Sequence, residues 1–430
     1  MSLSSFISLI SFFVILYSKG LLSTLAVPKL LIEGVLLALS TVILLERREN
    51  LKWPAPGFAF VVLFTGWSLM ACFYHGEGVL RGLLFSRYLV TGYVVFWAIW
   101  HSRFTAKQIY IVNCVIFVMF FLQVVAASYE VFIIRQKTEA IVGTMFSDGG
   151  AIATVFPMFA FSFMLAFFLY YNKIIFLIGG LSFFIVGFAS GKLGIYYLIP
   201  MVMPVGVLLF LKREGSKKSI KRIIVIAVLG FFALPFIVFL LETTDRTESI
   251  QNETGIKNKL QSFFDYSERY AFHQQSWHTS SRTTTSIRVI EETFKRSPMV
   301  FLLGQGTEVF YDMSSQADEG AYDEYGIIYG IVGWSHDALA IGWPAMFLEA
   351  GFFFYLFYFL TKRMLNQKMD KYWKSIYLAM QICFFVFVLD YFLHSKSFVV
   401  GNWLSCVYLY FLALLTAPQY RKMLCDVSVN

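Results

Sequence analysis

Three kinds of side chain in this sequence could do chemistry where they stand. The first is His336, in Ser335-His336-Asp337, where an imidazole beside a carboxylate can take up or release a proton near neutral pH. The second is a set of cations suited to an anion. Arg282 stands among Ser280, Ser281, Thr283, Thr284 and Thr285, just ahead of a helical pattern. The free N–H groups and positive dipole end of a helix start attract phosphate. Arg81 and Arg87 lie in an apolar run, about 9 Å apart along a helix. Charges within a hydrocarbon core are costly and mark functional sites; snorkelling or an internal ion pair is the competing reading. Lys192 marks a polar turn, Ala189-Ser190-Gly191-Lys192-Leu193-Gly194. The third kind is a glycine turn, Gly304-Gln305-Gly306, where positive φ and close backbone approach are available, although a plain turn explains it equally well.

These residues depend on a few elements for their positions. Residues 286–295 read as a helix in which Ile287, Ile290 and Phe294 recur at i, i+3 and i+7, a stripe expected to dock it. Arg288 falls about 100° around from Ile287, the place of a solvated surface charge. Ser297-Pro298 stops the helix. From Ala338 to Leu360 the chain runs as apolar helix past Glu349. On one continuous helix, Glu349 would lie about 20 Å from His336, so it is expected to be a structural contact and not a partner in the same reaction centre. Asp390 and His394, four apart, are expected to pair locally. The acids Asp312, Asp318, Glu319, Asp323 and Glu324 read as a solvated loop. His273 and His278 have no other ligand types nearby, so no metal site is expected.

The whole sequence supplies the setting. Of 430 residues, 58% are hydrophobic and only 14% charged, with a mean hydropathy of +0.66. A soluble domain is about a quarter charged, so the chain is a multi-pass, all-α membrane protein. Apolar runs predict twelve spans, near 6–22, 28–45, 57–74, 80–100, 108–129, 150–171, 174–190, 193–211, 223–241, 337–361, 376–393 and 398–417. The first run lacks a basic leader and a small-residue cleavage site and reads as an uncleaved helix. Dense basic clusters at 46–52, 101–107, 212–222, 362–374 and 421–422 fall on alternate loops. By the positive-inside rule they are cytoplasmic, as are both termini, and residues 242–336 form one large outer loop inserted between spans nine and ten of a single membrane domain. The net charge of +8 sits mostly in these clusters, so it does not point to nucleic acid. Five cysteines without a CxxC or a pairing pattern imply neither disulfides nor zinc. No Asp-x-Asp occurs, which counts against the metal-dependent class of lipid-linked glycosyltransferases.

Taken in order, Ser190-Gly191-Lys192, Arg282 through Pro298, Gly304-Gln305-Gly306-Thr307-Glu308-Val309-Phe310, His336-Asp337 and Glu349-Ala350-Gly351 resemble the motif series of the O-antigen polymerase and O-antigen ligase superfamily of bacterial envelope glycosyltransferases. The likeness covers residues 140–415. This chain departs from the pattern in having Lys192 for arginine, Asp337 for asparagine, and no tryptophan after Arg282. Lysine keeps charge but loses bidentate phosphate binding.

The resemblance implies a GT-C-like membrane fold in the bacterial inner membrane and a glycan donor on undecaprenyl diphosphate at the periplasmic face. It implies no metal or other cofactor, and a chain-length regulator as protein partner. Arg282, with Lys192, Arg87, Arg81, Arg288 and Asp337 as further binding residues, would meet the donor, and His336 would take the acceptor's proton. Polymerase and ligase differ in the acceptor, a second lipid-linked repeat unit or the lipid A core. The aromatic loop residues Tyr311, Tyr322, Tyr325, Tyr329 and Trp334 favour a polymerase that recognises one glycan by stacking. A twelve-span transporter or glycolipid flippase is the alternative from another class; it predicts internal symmetry and mid-membrane polar sites.

Overall fold

The computed structural model describes residues 3–45, 54–134, 152–189, 194–214, 286–287, 290–291, 293–295, 297–307, 332–365, 367–400 and 403–425. Among them the secondary structure is helical, with no strand. This follows from the solvent: in hydrocarbon every backbone N–H and C=O must be satisfied within the segment.

The helices are α1 (Leu3–Tyr17), α2 (Lys19–Thr24), α3 (Lys29–Leu45), α4 (Phe58–Tyr74), α5 (Val79–His101), α6 (Ala106–Phe132), α7 (Ile152–Tyr171), α8 (Ile174–Ser182), α9 (Phe184–Ala189) and α10 (Gly194–Glu214). After the gap come α11 (Pro298–Leu303), α12 (Gly333–Ile341), α13 (Trp343–Met364), α14 (Lys371–Leu389), α15 (Ser397–Val400), α16 (Trp403–Thr416) and α17 (Arg421–Cys425). Among the described residues, five helical stretches are long and apolar enough to cross a membrane: Val79–His101, Ala106–Glu130, Ala153–Tyr171, Trp343–Met364 and Lys371–His394. Shorter apolar helices at Leu3–Tyr17, Leu31–Leu45, Phe58–Tyr74, Ile174–Gly187 and Trp403–Thr416 pack among them.

The core centres on α7 and α16. A helix that is apolar all round belongs in the middle of a bundle, and residues 153–170 of α7 and 403–416 of α16 are buried along their whole length. Helix α7 packs against α14, α8 and α10, and α16 packs against α5. Rings fill the space between them: Phe117, Phe163 and Phe411 meet at centroid distances of 5.1–6.3 Å, and Phe120 sits 5.2 Å from Trp403.

One polar staple crosses this apolar mass. Asn113 donates to the Tyr372 hydroxyl at 2.8 Å and accepts from the Tyr410 hydroxyl at 2.8 Å, linking α6, α14 and α16. With no water to compete, such neutral bonds add about 0.6–2 kcal/mol.

Two ends of the bundle can be told apart. At one end the described parts of four basic stretches, near residues 102, 214, 370–374 and 421–424, converge. Lys374 reaches Glu214 at 3.1 Å, the Tyr420 hydroxyl donates to the Ser102 carbonyl at 2.8 Å, and the Asp370 amide donates to the Leu424 carbonyl at 3.1 Å. At the other end lie the turn after α4, the start of α5, all of α12 and the turn after α14.

The predicted tenth span requires correction. It is not one helix from 337 to 361. Gly342, with φ at +90°, breaks it into α12 and α13. A Cβ on Gly342 would lie 1.9 Å from the Leu302 carbonyl oxygen, so α11 crosses in direct backbone contact there. The following Pro344 suits a new helix start, where no N–H is needed. The predicted first and seventh spans are likewise interrupted, between α1 and α2 and between α8 and α9. Residues 223–241 and most of the 242–336 loop lie outside the described residues.

Candidate functional site at one end of the bundle

The turn after α14 is built by one aspartate. Helix α14 ends in a widened π turn, Asp390–His394. Asp390 accepts from the Ser395 hydroxyl at 2.7 Å and from the Phe398 amide at 2.7 Å, and His394 Nδ1 lies 3.1 Å from it. The Asp390–His394 pair read from the sequence is thus present, and its work is to shape the turn that presents Lys396. Widened turns of this kind recur at functional sites.

Lys396 turns inward. Its Nζ donates to Asp337 Oδ1 at 2.6 Å and lies 2.6 Å from Glu349 Oε2, a close ion contact. The Lys396 side chain is 11% exposed, those of Asp337 and Glu349 0% and 1%. The Tyr391 hydroxyl donates to Asp337 Oδ2 at 2.7 Å. Burial by itself pushes the Asp337 carboxyl up. The Lys396 ammonium, and after it Glu349 and His336, more than offset this and hold the carboxyl well below the usual carboxylate range. Burial likewise works against the Lys396 charge, but Asp337 and Glu349 outweigh it and raise its pKa. The two groups stay ionised as a pair.

The expectation that Glu349 is remote from the histidine's surroundings is therefore overturned. The estimate of about 20 Å assumed one straight helix. The break at Gly342 redirects the chain, and Glu349 of α13 shares Lys396 with Asp337, the residue next to His336.

His336 faces outward from this network. Its Nδ1 lies 3.4 Å from Asp337 Oδ1, a long contact of the kind that tightens when a site is occupied. Its ring stacks on Phe85 of α5, centroids 5.8 Å apart and planes within 12°. Lys396 also lies over Phe85, at 5.3 Å. The imidazole side chain is 32% exposed, so a buried charge network on one side meets an accessible ring on the other.

Helix α12 is held in place by the glycine turn. The Gln305 and Gly306 amides donate to the Leu339 and Ala340 carbonyls at 2.7 and 3.0 Å. Gly304 and Gly306 have φ of +71° and +94°, and a Cβ on Gly304 would meet the Ala340 carbonyl carbon at 2.5 Å. His75 Nε2 contacts the Gly304 carbonyl at 3.1 Å, and the Thr307 hydroxyl donates to Glu77. Trp67 Nε1 donates to both the Leu302 and Ile341 carbonyls, at 3.0 and 3.1 Å. The turn binds backbone and braces the helix that carries His336.

The cations separate. Arg81 lies in the first turn of α5. Arg87 donates to the Tyr88 hydroxyl and stacks on that ring at 4.4 Å; Lys19, ion-paired with Glu33, lies over the same ring at 5.3 Å. Arg282, Arg288 and Lys192 lie outside the described residues.

The stripe of Ile287, Ile290 and Phe294 does not dock the loop helix. These side chains are exposed. Thr293 is the buried one, accepting from Trp343 Nε1 at 3.1 Å. Phe294 only leans on Phe301 and Trp343, at 5.1 and 6.0 Å. Periodicity shows which residues share a face, not what that face meets.

Lys396 was missed by the sequence reading. The available signal was a lone lysine on a turn assigned to the side away from the basic clusters, close behind Asp390 and His394.

No family model matches the chain, and no curated protein sequence matches it.

Proposed function

We propose that this protein is a lipid-linked glycan glycosyltransferase of the twelve-span, GT-C-like kind. It acts as a polymerase of O-antigen or a related surface polysaccharide, with both termini in the cytoplasm and the His336 end of the bundle at the periplasmic face. The observation that carries the reading is the His336 ring, accessible to substrate yet held by Phe85 and by Asp337 of a buried charge network. A structural histidine at a membrane interface needs no such backing.

In this reading an acceptor hydroxyl attacks the anomeric carbon of the donor. The bond from that carbon to the undecaprenyl diphosphate oxygen breaks, and its electron pair leaves with the diphosphate. His336 takes the hydroxyl proton. Arg282 meets the developing phosphate charge, with Lys192, Arg87, Arg81 and Arg288 as further cations. Asp337, a binding residue in what the resemblance implies, is assigned instead to holding His336, because it is fully buried.

A deletion strain tests the reading through its lipopolysaccharide profile on gels. Core carrying a single repeat unit is the expected result. Bare core with accumulated lipid-linked polymer would assign the protein as the ligase, and an unchanged profile would remove it from this pathway.

A further inference from the structure

Asp337 raises a problem that the rest of the network answers. A carboxylate beside an imidazole orients the ring and selects its tautomer. A bare carboxylate also favours the charged imidazolium, which has no lone pair to accept a proton. In this chain the carboxylate does not stand alone. Its Oδ1 faces His336 Nδ1 and Lys396 Nζ together, and its Oδ2 is taken by Tyr391. The lysine is fixed in turn by the Asp390-built turn and by Glu349. Gly333, at the start of α12, lets the Ser395 carbonyl approach to 2.7 Å of where a Cβ would stand, so the helix and the turn close on one another.

We propose that Lys396 is a positioning residue for His336: it balances the Asp337 carboxylate, so that Asp337 fixes which ring nitrogen carries the proton without capturing the ring as its counter-ion. Asp337 then holds the proton on Nδ1. Nε2 is the acceptor nitrogen. Glu349 sets the far side of Lys396 and keeps its ammonium on Asp337. The proposal rests on His336 being the base of the transfer reaction, but the state of the ring can be read without any turnover.

Among the described residues, the groups with charge or titration near α12 on the elements packed around it include Lys396, Asp390, His394 and Tyr391 on the α14 turn, Glu349 on α13, Cys72 and Tyr74 on α4, His75 and Glu77 after it, and Arg81, Arg87 and Tyr88 on α5. The test leaves all but the three network residues in place. It uses full-length protein in detergent with isotope-labelled histidine, the His336 signal being assigned by its loss in His336→Ala. The wild type is expected to show the Nδ1–H tautomer when neutral. Three variants are then titrated: Glu349→Gln, Glu349→Gln/Lys396→Met, and Glu349→Gln/Lys396→Met/Asp337→Asn. Removing the lysine leaves Asp337 unbalanced, so the second variant should titrate about one pH unit higher than the first, and the third should return towards it. The acid limb of transfer activity should move in the same direction.

An Nε2–H tautomer in the wild type would overturn the proposal, even if the double variant proves too unstable to study. Coincident titrations in all three variants would also overturn it. The base assignment fails separately, by retained turnover in His336→Ala.

Discussion

Two of the buried polar clusters among the described residues are built on different principles. Asn113, Tyr372 and Tyr410 join three helices with neutral groups at 2.8 Å. Asp337, Lys396 and Glu349 put an aspartate, a glutamate and a lysine at the other end, with Nζ 2.6 Å from each carboxylate. The neutral staple satisfies its members cheaply and holds helices together. The charged cluster must first offset the desolvation of its ions, a cost that often exceeds the Coulomb gain. A fold seeking only stability would fill that space with leucine and phenylalanine, as it does around Phe353 and Phe387, 4.4 Å apart nearby. That the charges persist at the end bearing an accessible histidine points to use.

The comparison can be broken by mutation, and the largest effect on stability should come from Lys396→Met. It leaves the fully buried Asp337 carboxylate without its counter-ion, and losing one partner of a buried pair costs about 3–5 kcal/mol. A marked loss of detergent-stable, monodisperse protein is expected, with partial recovery in the neutral Asp337→Asn/Glu349→Gln/Lys396→Met protein. Equal stability of wild type and Lys396→Met would show that the ammonium is not holding the carboxylates.

Next in size is Gly342→Ala. A Cβ there meets the Leu302 carbonyl and must adopt φ of +90°. A strained position of this kind costs about 1–3 kcal/mol, so a lower thermal midpoint is expected together with reduced turnover, because α12 and α13 are re-aimed. An unaffected midpoint would mean that the break is not fixed by this glycine.

The smallest effect belongs to the neutral staple. Asn113→Leu should lower stability by about 1–2 kcal/mol while leaving substrate binding and turnover unchanged once the protein is folded. A loss of turnover at full folding would extend the functional region into the middle of the bundle.

The pH dependence sharpens the same contrast. Asp337 is held below the usual carboxylate range and Lys396 above its usual value. The Asp337 contribution to stability is therefore complete above the ordinary carboxylate pKa and lost only as pH falls through its depressed folded value. The Lys396 contribution is complete below the ordinary lysine pKa and lost only as pH rises through its raised folded value. Between about pH 5 and 9 the pair should not change charge. Thermal midpoints of the Glu349→Gln protein, which isolates the pair, should show no step across that window; a step that vanishes in the triple neutral variant would contradict the geometry.

The sequence made some of this legible. Long apolar runs declared the membrane bundle, and i, i+4 spacing paired Asp390 with His394. The order of short polar motifs picked out His336 and its neighbour. Hydropathy, however, treats a redirected helix as a straight one. Ile341, Gly342, Trp343 and Pro344 carry the break in plain sight, yet the apolar pattern runs through them, and on that account Glu349 looked about 20 Å away. Lys396 was hidden for another reason. A lysine in a short outer turn resembles any solvated cation until the fold closes on it. The stripe of Ile287, Ile290 and Phe294 shares one face, but periodicity does not declare which neighbour an apolar face meets.

The central claim is that the accessible His336 removes a proton during glycosyl transfer. Its most direct test is single-turnover transfer, with donor binding measured in parallel, for His336→Ala and Asn113→Leu at matched expression. His336→Ala should bind the lipid-linked donor with unchanged affinity and transfer about 10²–10⁴-fold more slowly, while Asn113→Leu transfers at the wild-type rate. A His336→Ala protein that turns over normally would contradict the account, and the base would have to be sought elsewhere at the same end of the bundle.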